Sequence, residues 1–293
     1  MSIPRHLLHL LFILAAALPS LAEEAVLLKF DPPSGQKVTH RSKMEIKMQM
    51  SLPTAQNGAG SDMTIQMETD ISQEIKSKLP DGSIEMLQIC ERASGGTKMG
   101  GASMAIPSEN FPGKSWTSRI DKDGKLLPSA DKRTLPTDAN PEQFSKMTNP
   151  VSMLPGKPIK PGESWTFNYS LPLNQSGISM TLNIQAKALL KEVREEAGAK
   201  IACVTVEFTV PATKNAATAS MPTEMTISGT GKGNIDYNLT HNYLQRNDTR
   251  LNLDLKLNLD VGGQKVSMDR PLTISIVTEL IKPPEDLPAP TDQ

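Results

Sequence analysis

The chain has 293 residues, with 31 Lys+Arg against 32 Asp+Glu and a formal net charge of −1. That balance excludes a protein that holds a polyanion by bulk charge, because phosphate contacts need a basic excess. Aromatic residues make up only 4%, which speaks against a transmembrane barrel with Trp and Tyr girdles at both interfaces.

The N-terminus reads as an export signal. Arg5 supplies a positive start, Leu7 to Leu18 is a nearly unbroken apolar stretch, and Ser20-Leu21-Ala22 offers small residues at a cleavage site. The stretch is shorter than the roughly 20 residues of a membrane-spanning helix. Residues 1–22 are therefore expected to be a signal peptide. The protein is expected to be exported, periplasmic or extracellular, with no transmembrane span after cleavage.

Beyond it, apolar residues recur at every second position. Met44, Ile46, Met48, Met50 and Leu52 alternate with polar residues, as do Met63, Ile65, Met67, Thr69 and Ile71. Trp165, Phe167, Tyr169, Leu171 and Leu173 follow the same rule, then Ile178 through Leu190, and most clearly Leu251, Leu253, Leu255, Leu257, Leu259 and Val261. Such runs predict long strands with one buried and one wet face, since a helix would scatter these residues round its circumference. Asp81-Gly82, Asp123-Gly124, Ala197-Gly198 and Gly262-Gly263 punctuate them as hairpin turns. One short helix is expected in the linker, with Asn140 as cap and Pro141 at its first position.

The two halves resemble each other. Pro33-Ser34-Gly35-Gln36 opens the first as Pro161-Gly162-Glu163 opens the second. Val38, His40, Ser42 and Met44 then match Trp165, Phe167, Tyr169 and Leu171 in parity. Further on, Met63-Thr64-Ile65 aligns with Met180-Thr181-Leu182, Leu87 and Ile89 with Val204 and Val206, and Ile120 with Ile235. The expected organisation is a first β-repeat over 23–132, a linker with the short helix over 133–157, and a second β-repeat with an extra hairpin over 158–281. The Pro-rich acidic tail, 282–293, is expected to be disordered. The fold class is all-β: long antiparallel strands from two tandem repeats in one curled, barrel-like or clam-like sheet.

An apolar sheet face of this extent must be covered, because a soluble monomer exposes contiguous apolar patches of only a few hundred Å². Gly229, Gly231 and Gly233 fall on the apolar parity of one strand, where they allow either a bend as the sheet curls or room for an apolar ligand. The stretch Leu154-Pro155-Gly156-Lys157-Pro158 through Pro161-Gly162-Glu163-Ser164-Trp165 resembles one found in uncharacterised exported bacterial β-rich proteins. The architecture is also loosely similar to the periplasmic lipoprotein carriers of the LolA/LppX kind. That likeness implies a sheet curled round an acyl chain.

Few residues offer chemistry. Met44, Met48, Met50, Met63 and Met67 would share one face if their strands pair, as core filler, as contacts to an apolar ligand, or as a thioether set for copper. Cys90 and Cys203 are read on the polar parity of their strands and either pair as a disulfide or stand as two thiols. His40 falls on apolar parity and reads as a core histidine. Asp121-Lys122-Asp123-Gly124 lacks the downstream ligands of a calcium loop. No catalytic triad, Walker loop or metal motif occurs, so no catalytic residue, metal or cofactor is assigned. The expectation is a non-enzymatic exported protein, a structural or protein-interaction module with an envelope protein as partner. The alternatives are a carrier of a lipid or other apolar ligand, and an enzyme with an unrecognised site.

Overall fold

The computed structural model describes residues 24–50, 61–105, 112–121, 126–127, 153–175, 178–215, 223–261 and 264–284. The expected signal peptide, the Asn140–Pro141 helix, the Asp123–Gly124 and Gly262–Gly263 turns and most of the tail lie outside them. Lys282, read as the start of the tail, still belongs to a strand.

Nearly all the described residues are strand. One meander comprises β2 (Lys37–Met50), β3 (Ser61–Lys78), β4 (Ile84–Met99) and β6 (Ser115–Ile120); β5 (Ala102–Ala105) and β7 (Leu126–Leu127) flank its outer end. A second comprises β9 (Ser164–Gln175), β10 (Ile178–Glu196), β11 (Ala199–Asn215) and β12 (Thr223–Asn238). The hairpin of β13 (Tyr243–Val261) and β14 (Gln264–Lys282) joins them. The spatial order β7-β6-β4-β3-β2-β14-β13-β12-β11-β10-β9 makes one antiparallel sheet, open at β7 and β9. β1 (Val26–Leu27) pairs separately with β8 (Pro158–Ile159).

Alternation decides which face turns inward. Leu182, Ile184, Ala186, Ala188 and Leu190 of β10 are buried, as are Val204, Val206, Phe208 and Val210 of β11 and Leu251, Leu253 and Leu255 of β13. The residues between them, such as Lys187, Glu207 and Asn252, are exposed. The inward side chains form the main core, each Leu or Ile contributing about 1.5–3 kcal/mol on burial. A smaller core of Ile75, Ile84, Met86 and Ile120 serves the first meander, with Phe30 packed on it.

One end of the sheet is held by two equivalent turns. Gly35 N–H donates to Ile75 O, Gln36 N–H to Pro33 O and Ile75 N–H to Gln36 O. In the second meander Gly162 N–H donates to Leu190 O, Glu163 N–H to Lys160 O and Leu190 N–H to Glu163 O. The Leu154–Trp165 stretch is built into this end. Gly156 N–H donates to Leu28 O, and the Trp165 indole N–H donates to Met153 O at 2.8 Å.

The hairpin turns follow their residues. Ala197 and Gly198 both take positive φ, +49° and +81°, the geometry that a tight two-residue connection between twisted strands requires. Parity on β4 differs from the sequence reading. Ile84, Met86, Gln88 and Cys90 are buried, whereas Leu87 and Ile89 lie on the other, half-covered face. Register shifts between β3 and β4 at Asp70/Ile71 and Ile75/Ser77 accompany the change.

Candidate functional site: the two zones of the sheet interior

The inner face shared by β2, β3, β14 and β13 changes character along the strands. On one side of its middle, Met44 stands opposite Met67, Ile46 opposite Ile65 and Met48 opposite Met63. On the other flank of β2 the same residues meet Ile276, Ile274 and Leu272. All six of the β2 and β3 residues are half-buried. Of the block, Met48, Leu272 and Ile274 pack against the main core. Met63 also pairs with Met99, itself 44% exposed. Met50 pairs with Ser61, and its side chain lies outside the described residues. Ile46 and Ile65 separate the two methionine pairs by about 13 Å along the strands, too far for their sulfurs to ligate one copper ion.

The middle is polar. Thr69, Ser42, Thr278 and Asn247 stand side by side across four strands, each 7% exposed or less. The Ser42 and Thr278 hydroxyls lie 3.0 Å apart in a hydrogen bond, and the Thr249 hydroxyl donates to Asn247 Oδ1 at 2.8 Å. The Thr69 hydroxyl is buried without a partner.

Past this rung lies a cavity of about 40 Å³ lined by the polar residues Gln36, His40, Ser42, Gln73, Asn242, Tyr243 and Thr278 together with apolar neighbours. His40 is buried, and its Nε2 lies 2.8 Å from Leu244 O. A carbonyl can only accept, so Nε2 carries the proton. Burial holds the His40 pKa below its ordinary value, against the opposing pull of the Leu244 carbonyl. His40 is thus a core histidine, as its parity indicated. On the other side of the rung a second cavity, about 30 Å³, is lined mainly by Leu182, Phe208, Leu251 and Ile276, with Thr249 at its edge.

The glycines make no ligand space. A Cβ on Gly233 would come within 2.7 Å of Thr249 Oγ1, on Gly231 within 2.7 Å of Arg250 O, and on Gly229 within 2.8 Å of Leu253 Cα. Side chains of β13 and Phe208 already occupy the volume. Gly229, Gly231 and Gly233 let β12 curl tightly against β13, which corrects the reading of them as lining a ligand cavity.

Of the two readings of the cysteines, the structure supports two separate thiols and not the disulfide. Cys90 and Cys203 are free, both buried, on strands with five others between them. They also point to opposite sides: Cys90 opposes inward-facing Ile71, whereas Cys203 opposes Asp236 and packs with Ala199 and Ile201 on the outer face. A disulfide needs Cα atoms within about 7 Å. Arg194 reaches Cys203 Sγ at 2.6 Å and Asp236 at 3.1 Å. Burial, with Asp236 behind it, still pushes the Cys203 thiol up to about 11, so it is protonated at neutral pH and a poor nucleophile.

Elsewhere the outer face is ionic. Arg41 makes a two-pronged contact to Asp70 at 2.7 and 2.8 Å, and this guanidinium holds the Asp70 carboxyl below its ordinary value despite partial burial. Among the described residues no three His, Cys, Asp or Glu side chains converge as a metal site, and no helix is long and apolar enough to cross a membrane.

Sequence reasoning missed Gln36, Thr278 and Asn247 as interior residues. Their signal was present nearby: Ser42 and Thr69 interrupt apolar runs at the buried parity, where a polar residue needs an interior partner.

Over residues 131–242 the chain is similar to a family of unknown function (DUF6263). No curated protein matches it. Among solved structures, an outer membrane channel from Pseudomonas putida F1 is similar at 7% identity, over 89% of this chain and 98% of its own. The TM-score is 0.23, well below that of a shared fold.

Proposed function

We propose that this is a non-enzymatic exported protein that holds an apolar or amphiphilic molecule against the methionine-rich side of its sheet. The observation that supports this is the half-exposed block of Met44, Ile46 and Met48 paired with Met67, Ile65 and Met63. From Met44 to Met48, and on to the strand ends, it offers an apolar strip about 20 Å long. Methionine side chains are flexible and polarizable, which suits a ligand of loose shape. Export is read from Arg5 and the Leu7–Leu18 stretch.

The structural or protein-interaction reading has its own support in β9. This twelve-residue strand pairs with β10 on one side only among the described strands, and such an edge can accept a partner's strand. Native mass spectrometry of protein purified from an exporting host, followed by organic extraction, separates the two. A co-purifying lipid of defined mass is the expected result. Repeated clean apo masses would overturn the carrier reading in favour of a protein partner.

A further inference from the structure

The cavity past the polar rung carries an atom that the fold leaves unsatisfied. Gln36 is 3% exposed, and its Nε2 donates to His241 O at 2.8 Å. This contact fixes Oε1 as the other amide atom, and Oε1 is buried with no partner. The equivalent residue of the second meander, Glu163, is exposed and caps its own turn by accepting from Lys160 N–H at 2.9 Å. Gln36 therefore departs from the local pattern by facing inward. A buried amide oxygen left unpaired destabilises the fold, and its placement at a cavity wall allows a partner to enter.

The other polar side chains at that wall include His40, Ser42, Gln73, Asn242, Tyr243 and Thr278, with no carboxylate among them. His40 donates through Nε2, which leaves Nδ1 as a lone pair on a neutral ring. Of the two hydroxyl protons of Ser42 and Thr278, one is used between them and the other is available. No Lys or Arg lines the cavity. A volume of about 40 Å³ admits two or three waters, or one small polar group. Ser42 and Thr278 are followed on the same inner face by Met44 and Ile276, so the cavity lies at the head of the apolar strip.

We infer that the bound molecule is a neutral single-chain amphiphile, its hydroxyl or amide head donating to Gln36 Oε1 beside His40 and its chain lying along the methionine strip. This rests on the ligand-binding reading above. A carboxylate head would be buried there with no Lys or Arg to pair its charge, and an alkane leaves Gln36 unpaired.

The test is displacement of the neutral dye N-phenyl-1-naphthylamine from the full chain by 1-dodecanol, dodecanoate and dodecane. The alcohol is expected to compete at least tenfold better than either of the others. Gln36→Leu and, separately, Thr278→Val should reduce that advantage to less than threefold while leaving dodecane unchanged. Circular dichroism and urea midpoints identify any variant that fails to fold, and the wild-type ranking stands without the variants. Equal competition by all three, a preference for dodecanoate, or retention of the alcohol preference by folded Gln36→Leu would overturn the inference and leave apolar binding intact. Absence of binding by dye and competitors alike would overturn both.

Discussion

Gly35 and Gly162 adopt almost the same backbone angle, φ +85° and +84°, and each donates its N–H to the buried residue that ends an inner row, Ile75 or Leu190. Neither would meet another atom if it gained a Cβ. The glycine requirement there is purely conformational.

Substitution should therefore reveal two kinds of glycine. Gly35→Ala and Gly162→Ala are expected to cost about 1–2 kcal/mol each, the penalty of a left-handed L-residue. Gly231→Ala has no such angle but drives a methyl into β13, and overpacking of this kind costs about 1–3 kcal/mol. Urea unfolding checks both. An unfolding slope that stays constant in the turn variants, together with a lower midpoint, shows that only stability has changed.

His40 should make stability sensitive to pH. Its folded pKa lies below the ordinary 6.5, so the unfolded chain binds the proton more readily. Stability is then fully present above about pH 6.5 and is lost as pH falls toward the folded pKa, with a slope of up to about 1.4 kcal/mol per pH unit. His40→Phe, which places here the residue that Phe167 provides in the second meander, should flatten that slope. Urea midpoints between pH 5 and pH 8 measure it. An unchanged slope in the variant would assign the dependence to other groups.

Both cysteines should behave as protected thiols. Ellman's reagent is expected to find none reacting promptly in the native protein at pH 7.5 and two after unfolding in urea without reductant. Burial raises the pKa of each, Cys203 to about 11, so exposure and ionisation are both lacking. Detection of a single thiol, or none, after unfolding would contradict the free pair.

The strand pattern was legible where one face is apolar and the other charged. Leu251, Leu253 and Leu255 separated by Asn252 and Asp254 leave no ambiguity about which side is inward. Leu87 and Ile89 misled because β4 carries apolar residues on both parities, and period two cannot choose between them. The inward choice followed from the shifted register with β3, a property of pairing that no single strand encodes. Gly229, Gly231 and Gly233 were legible as a bend, but not as filled space. The leucines that fill it lie some twenty residues away, on β13. The polar rung was hidden for a related reason. Thr69, Ser42, Thr278 and Asn247 become one feature only when four strands from opposite ends of the chain are laid in order.

That order has a consequence for how the molecule comes into being. β14 sits between β2 and β13, yet every other strand of the sheet precedes it in the chain. Among the described strands no other ladder of this sheet joins the first meander to the second, and the two strands that make it, β2 and β14, lie more than two hundred residues apart. Closing a loop of that length is slow because the entropy must be lost before the contact forms. The pairing that turns two ribbons into one sheet is thus the longest-range contact of the ladder, and it is expected to form late in refolding.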